Sequence, residues 1–214
     1  MIQVPDRDPA VDPSSKTAAP TGKHEAWTFF RQWLRRPLST AAVSPSSRFL
    51  ARRIVAALPP GTRRVIELGA GTGTFTGALL EHGIAAADLL AVEFNPALHD
   101  YLRGRFPGLA IIQADARALG AVEAVAQFVE RGPVQAVVSG LGLLAMPKSA
   151  QRAILKGAFS LMPEDGQFIQ FTYGPVAPVA VDVLEDLQLD AVRRGFTLLN
   201  LPPASVYAFR RRPA

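Results

Sequence analysis

Cysteine is absent, histidine occurs only three times, and aromatic residues make up 8% of the chain. Without cysteine there can be neither a disulfide scaffold nor a thiolate nucleophile. His24, His82 and His99 are scattered, with no HxxxH or HxH pair, so a zinc site would lack ligands and no metal is expected. No run of 18 uncharged apolar residues occurs, and the first twenty residues hold Asp6, Arg7, Asp8 and Asp12 among four prolines. Neither a membrane span nor a signal peptide is therefore expected, and the chain reads as cytoplasmic. Against these absences stand 214 residues that are 49% hydrophobic and 19% charged. That is enough apolar matter for one domain with a full core.

The net charge of +5 is unevenly spread. Residues 1–22 carry −1, residues 23–64 carry +8, residues 65–192 carry −7 and residues 193–214 carry +5. Segregation of this kind points to a polyanionic partner. Nineteen of the 23 basic residues are arginine, whose planar fork binds phosphate oxygens bidentately. A GC-rich genome also enriches arginine, but it does not explain the segregation.

Residues 1–22 hold too little apolar matter to offset ordering entropy and are expected to form a flexible tail. Over residues 24–36, Ala26, Trp27, Phe29, Phe30, Trp33 and Leu34 fall on one helical arc of about 160°, opposite Arg31 and Arg35. This amphipathic helix either docks on a membrane or packs on its own domain. Pro37 closes it, and a second helix is expected over about 48–58, which completes an N-terminal segment of residues 23–60. From 61 to 214, short β-rich runs alternate with helical ones. Strands are predicted at 64–68, 89–94, 109–114, 136–139 and 167–173, and helices at 74–82, 96–106, 117–130, 148–160 and 181–194. Five βα units imply an α/β fold with a parallel sheet covered on both faces. Two further extended runs, 196–201 and 205–211, are expected to finish the sheet as an antiparallel edge pair.

Residues 65–76 read VIELGAGTGTFT, a strand running into Gly69, Gly71 and Gly73 at the opening of a helix. Such glycines permit a tight turn and close approach of a ligand to the backbone. Glu93 ends the second strand, where a carboxylate can accept bonds from both ribose hydroxyls, and Asp115 ends the third. The third glycine of a dinucleotide fingerprint is missing, which argues against a nicotinamide cofactor.

Taken together, acid-x-GxGxG, an acid ending strand two and an aspartate ending strand three resemble class I S-adenosylmethionine-dependent methyltransferases. The resemblance covers residues 64–173 and implies a seven-stranded Rossmann-like sheet, mostly parallel with the last strand antiparallel. It also implies that Glu67 and the loop Gly69, Ala70, Gly71, Gly73 hold the methionine part of the cofactor. Glu93 and Phe94 would take the ribose side, and Asp115 with Ala116 the adenine edge. S-adenosylhomocysteine would be the product.

A narrower likeness runs through FFRQWLRRPLSTAAVSPSSRFLA, AVEFNPAL, VVSGLGLLAMP and FTYGP, residues 27–175. These segments are similar to bacterial phospholipid N-methyltransferases, which convert phosphatidylethanolamine stepwise to phosphatidylcholine. That likeness implies peripheral association with the inner face of the cytoplasmic membrane, where each basic residue near an anionic surface contributes about 1 kcal/mol. It makes Ser46 a cofactor contact, although a simple loop turn is an equal reading there.

Tyr173 and Ser139 lie at the carboxyl ends of their strands, where ligands bind in open α/β sheets. They are the candidate catalytic residues, Ser139 also as a cofactor contact, and Tyr173 and Leu141 are expected to touch substrate. Arg31, Arg35, Lys148, Arg211 and Arg212 are candidates for the lipid phosphate. The rival function is an RNA adenine-N6 dimethyltransferase. Such enzymes carry an Asn/Asp-Pro-Pro-Tyr motif after strand four, whereas this chain has Ser139-Gly140-Leu141-Gly142.

Overall fold

A computed structural model of the chain describes residues 45–173, 176–198 and 203–213. The expected flexible tail, the amphipathic helix over 24–36, and Arg31 and Arg35 lie outside the described residues. The expected second helix is α1 (Pro45–Ala56), which starts three residues earlier than the sequence pattern suggests.

Seven strands form one sheet in the order β3-β2-β1-β4-β5-β7-β6. β1 (Val65–Leu68), β2 (Leu89–Glu93) and β4 (Ala136–Ser139) are buried at every position. Parallel strands covered on both faces must read as continuous apolar runs, as VIEL, LLAVE and AVVS do. β3 (Ala110–Gln113) forms one edge and β5 (Gln167–Tyr173) continues the parallel set beyond β4. The strand order reverses between β1 and β4. The crevice at their carboxyl ends is therefore the place where an open α/β sheet binds its ligand.

Helices α2 (Thr74–Glu81), α3 (Pro96–Arg105), α4 (Glu123–Glu130) and α5 (Lys148–Ser160) follow β1 to β4 in turn. α3 starts sharply because the Asn95 side chain accepts from the backbone N–H groups of Ala97 (2.9 Å) and Leu98, and because Pro96 fixes the first helical turn. The helix predicted over 117–130 is divided. Asp115 caps a 3₁₀ segment, Ala116–Ala121, in which Ala118 leaves helical geometry, and α4 begins only after an extended Val122.

The helix predicted over 181–194 is corrected more strongly. α6 (Val181–Asp186) lasts six residues, Gln188 takes φ +53°, and β6 (Leu189–Thr197) follows. A left-handed residue breaks a helix. The ladder with β7 (Ala204–Arg211) then satisfies the backbone groups that an extended helix would have bonded internally. β7 lies between β5 and β6, antiparallel to both, so β6 runs in the same direction as β5.

Two apolar layers cover the sheet. On one face Phe128, Phe168, Phe209, Ile154 and Leu155 are buried; on the other, Leu50 and Ile54 of α1 pack with Leu79, Val138 and Ile169. Each such side chain contributes about 1.5–3 kcal/mol of burial, which fixes the sheet and hence the position of its carboxyl edge.

Candidate active site

Three consecutive turns after β1 depend on glycine. Gly69, Gly71 and Gly73 take φ +67°, +59° and +80°, a region in which a side chain would be strained. Close approach adds to this. A Cβ on Gly69 would sit 2.6 Å from Leu141 Cδ2, and one on Gly73 would sit 2.3 Å from the Phe106 ring. The loops after β1 and β4 are also pressed together, since a Cβ on Gly140 would lie 2.6 Å from the Gly69 carbonyl oxygen. The Gly140 N–H donates to the Leu68 carbonyl at 2.8 Å, and the Gly69 N–H to the Val92 carbonyl at 2.8 Å.

Beside this contact lies a cavity of about 320 Å³. Its wall includes Gly69, Glu93, Asn95, Asp115, Ala116 and Arg117 on the polar side, and Phe94, Leu141, Met146 and Ile154 on the apolar side. Glu93 is nearly buried, and its two oxygens accept from the backbone N–H groups of Gly71 and Asn95, both at 2.8 Å. The carboxylate thus links the glycine loop to the start of α3 and is held in a single orientation. Phe94, which is 67% exposed, stands on the rim. Asp115 accepts from the Arg117 backbone N–H at 2.8 Å and from its guanidinium, Nε lying 2.9 Å from Oδ2. These bonds hold the Asp115 carboxyl below its usual range. A carboxylate offers about four lone-pair positions, so Asp115 retains acceptor capacity beyond what Arg117 uses.

Glu67 lies on β1, two residues before the first glycine of the loop. It is fully buried and is absent from the wall of this cavity. Side chains alternate along a strand, and Glu67 faces α2, where the Thr76 hydroxyl donates to its Oε2 at 2.6 Å. Its Oε1 is buried without a hydrogen-bond partner. Burial is the main cause that raises its pKa to about 8, so the group is largely a neutral acid at pH 7. Glu67 thus ties β1 to the first turn of α2.

The other candidates separate. Ser139 is fully buried and its hydroxyl accepts from the Leu141 N–H at 3.3 Å, shaping the cavity wall from behind. Ala70 is buried within the glycine loop. Tyr173 ends β5 on the α1 side of the sheet, and the cavity wall as described does not include it. Its ring lies 5.5 Å from that of Phe171, which in turn lies 5.6 Å from Phe75 at the start of α2, both edge-on. Burial pushes the Tyr173 phenol above its usual range. Ser46 falls in the first turn of α1, with its side chain outside the described residues. Lys148 lies at the carboxyl edge and pairs with Asp182 at 2.9 Å. Arg211 is corrected as a substrate contact. β7 runs against β5, which carries Arg211 to the opposite edge, where Nη1 donates to the Pro163 carbonyl at 2.7 Å and the guanidinium covers Phe159. Arg212 lies beside it, on Asp190.

Several residues that shape the site escaped sequence reasoning. Gln170 is fully buried, and its Nε2 donates to the carbonyls of Leu141 (2.8 Å) and Phe171 (2.7 Å). Gln151 donates to the carbonyls of Leu143 and Met146 and accepts from the Ala180 N–H, tying the loop after β4 to the one after β5. A glutamine inside an apolar run, as in QFIQF, was the available signal for Gln170. Arg117, two residues past Asp115, was readable as a local partner.

The cavity suits a ligand with hydroxyls facing Glu93, a flat ring beside Phe94, and an amino group reaching Asp115. S-adenosylmethionine has these parts, and glycine at 69 and 140 lets the loops after β1 and β4 pack against each other beside the cavity where a Cβ would not. A family model described as FtsJ-like methyltransferase matches residues 51–191. The ornithine lipid N-methyltransferase of Singulisphaera acidiphila is 30% identical over 188 residues, 85% of this chain and 94% of the relative. Among solved structures, a TehB-like SAM-dependent methyltransferase from Corynebacterium glutamicum aligns with TM-score 0.58 and 19% identity, covering 88% of this chain and 99% of that one. The glycopeptide N-methyltransferase MtfA, complexed with S-adenosyl-L-methionine, aligns with TM-score 0.60 and 15% identity over 78% and 94%. The chain belongs to the FtsJ-like methyltransferase family and is a class I S-adenosylmethionine-dependent methyltransferase. Among the described residues no helix is long and apolar enough to cross a membrane.

Proposed function

We propose that this enzyme N-methylates the primary amine of an aminolipid at a membrane surface, with phosphatidylethanolamine and its methylated intermediates as substrates. The observation that carries the reading is the near full-length relative that bears the name of a lipid N-methyltransferase. Because that relative's named lipid is ornithine lipid, an ornithine headgroup is the second substrate reading. Both lipids present an amine on an amphiphile. Peripheral association with the cytoplasmic membrane follows from such a substrate.

Bound S-adenosylmethionine supplies a methyl group on a sulfonium, already activated for in-line transfer. The chain's residues then have to orient and to exclude water. Glu93 fixes the ribose side, Asp115 the adenine edge, and Gly69 and Gly140 let the backbone approach. Leu141 and Met146 keep the apolar wall dry. The acceptor must arrive as a neutral amine, because an ammonium has no lone pair. Tyr173, raised in pKa by burial, keeps its phenolic proton at neutral pH and, at the carboxyl end of β5 beside the cavity rather than in its wall, is the proposed positioning group for the arriving amine. Solvent takes the proton, so turnover rises with pH across the neutral range.

The test is a competition for labelled methyl from S-adenosylmethionine among phosphatidylethanolamine vesicles, ornithine-lipid vesicles and RNA. Label in phosphatidylethanolamine supports the first reading and label in ornithine lipid alone moves the assignment to the second. Label confined to RNA overturns both.

A further inference from the structure

Among the described residues, four of the seven exposed large apolar side chains stand together at one end of the sheet. Val176 follows β5, Val181 opens α6, and Phe196 and Leu198 end β6. Because β6 runs in the same direction as β5, all four stand at the carboxyl edge, the edge on which the cofactor cavity opens. The Lys148–Asp182 pair holds the start of α6 there. Leu198 is 74% exposed and Val181 69%. Large apolar side chains grouped in this way mark an interaction site.

The charge around them is mostly basic. Arg193 and Arg194 are exposed on β6 just before Phe196, at a register shift in its ladder with β7. α1 lies alongside, a Cβ on Gly195 coming within 3.5 Å of Arg53 Cδ, and its outer side carries Arg48 and Arg52. α1 has no acid, and β6 has none beyond Asp190, which is bonded to Arg212. On α6, Asp182 and Asp186 are bonded to Lys148 and Arg152, and Glu185 is its one further acid, exposed towards the end of the helix.

We infer that the β5–β6 side of the carboxyl edge is a docking rim for an anionic lipid bilayer. Leu198, Phe196 and Val176 enter the boundary between headgroups and acyl chains, and Arg193, Arg194 and the α1 arginines contact lipid phosphates. The inference rests on the aminolipid reading and places the membrane beside the cavity, so that a headgroup amine reaches it without its lipid leaving the bilayer. Apolar side chains with a basic surround are what an interface binder requires. Leucine and valine offer a nucleic acid neither a stacking face nor a hydrogen bond, which disfavours RNA as the occupant.

The cysteine-free chain allows a direct test. The full-length variants Leu198→Cys and Glu164→Cys, the latter at the opposite edge, each carry one environment-sensitive dye. They are mixed with vesicles of equal parts phosphatidylglycerol and phosphatidylcholine, or with single-stranded RNA. The expected result is a blue shift and protection from an aqueous quencher at position 198 only, with vesicles only. Arg193→Ala and Arg194→Ala should each lower vesicle partitioning about fivefold while leaving S-adenosylmethionine affinity unchanged. A silent dye at 198, whether or not the protein sediments with vesicles, overturns the docking rim, as does a shift produced by RNA instead. Methyl transfer to detergent-solubilised aminolipid separates the two ideas. Transfer with a silent dye removes the rim and keeps the function, and a shifted dye without transfer does the reverse.

Discussion

Gly140 faces the carbonyl of Gly69 so closely that a Cβ on Gly140 would lie 2.6 Å from that oxygen. Both partners are backbone, so neither can rotate aside, and the contact sets the width of the crevice between β1 and β4. Gly140→Ala should destabilise the protein by about 1–3 kcal/mol, the usual cost of overpacking, and weaken S-adenosylmethionine binding about tenfold. Thermal melting and titration calorimetry measure the two effects. Gly104→Ala, on α3 with nothing within 4 Å of the added Cβ, is the control and should be neutral or stabilising by up to about 1 kcal/mol.

Glu67 makes stability depend on pH in a definite direction. Its folded pKa of about 8 lies above the ordinary 4.5, so between those values the folded state holds a proton that the unfolded chain releases. Its contribution therefore weakens as pH rises through that window, by up to about 1.4 kcal/mol per pH unit, and levels off above it. Glu67→Gln keeps an acceptor for Thr76 and removes the titration. Denaturant melts from pH 5 to 9 should show the parent losing stability relative to the variant as pH rises. Parallel curves would contradict the assignment of Glu67 as a buried neutral acid.

Gln170 holds the Leu141 carbonyl at 2.8 Å from behind the cavity wall. Gln170→Leu leaves the Leu141 and Phe171 carbonyls without that donor and should cost about 1–3 kcal/mol. Because Leu141 lines the cavity, KM for S-adenosylmethionine should rise more than kcat falls. Equal changes in both, or none, would show that the tether does not shape the cofactor site.

Arg117 is 60% exposed, so solvent screens its pair with Asp115 and the pair adds little to stability. Its effect should appear in binding instead. Arg117→Ala frees the Asp115 carboxylate to rotate, and calorimetry should show weaker S-adenosylmethionine binding with an unchanged melting temperature. A melting temperature that falls with affinity unchanged would reverse this account.

The strand ends were legible because parallel, doubly covered strands leave little choice of residue. VIEL, LLAVE and AVVS are apolar up to the polar residue that terminates them or the acid they enclose, which placed Glu93 at the cavity, while Asp115 reaches it two residues beyond the edge strand β3. Glu67 shows where that reasoning stops. Spacing from the glycines located it along the chain, but strand alternation turned its side chain towards Thr76. β6 was hidden for a related reason. Val181, Val183, Leu184 and Leu187 carry a helical signal into a segment whose backbone reverses at Gln188, and only the β7 ladder decides the outcome. Arg211 reads as one more basic tail residue until the antiparallel run of β7 places it at the far edge.

The central claim, methyl transfer to the amine of phosphatidylethanolamine, is tested most directly by expressing the chain in a bacterium that makes phosphatidylethanolamine but no methylated derivatives, and recording the lipid mass spectrum. The account predicts new species displaced from phosphatidylethanolamine by one or more methyl additions, diminished in cells carrying Gly140→Ala. An unchanged lipid spectrum, from cells whose purified protein binds S-adenosylmethionine normally, would contradict it.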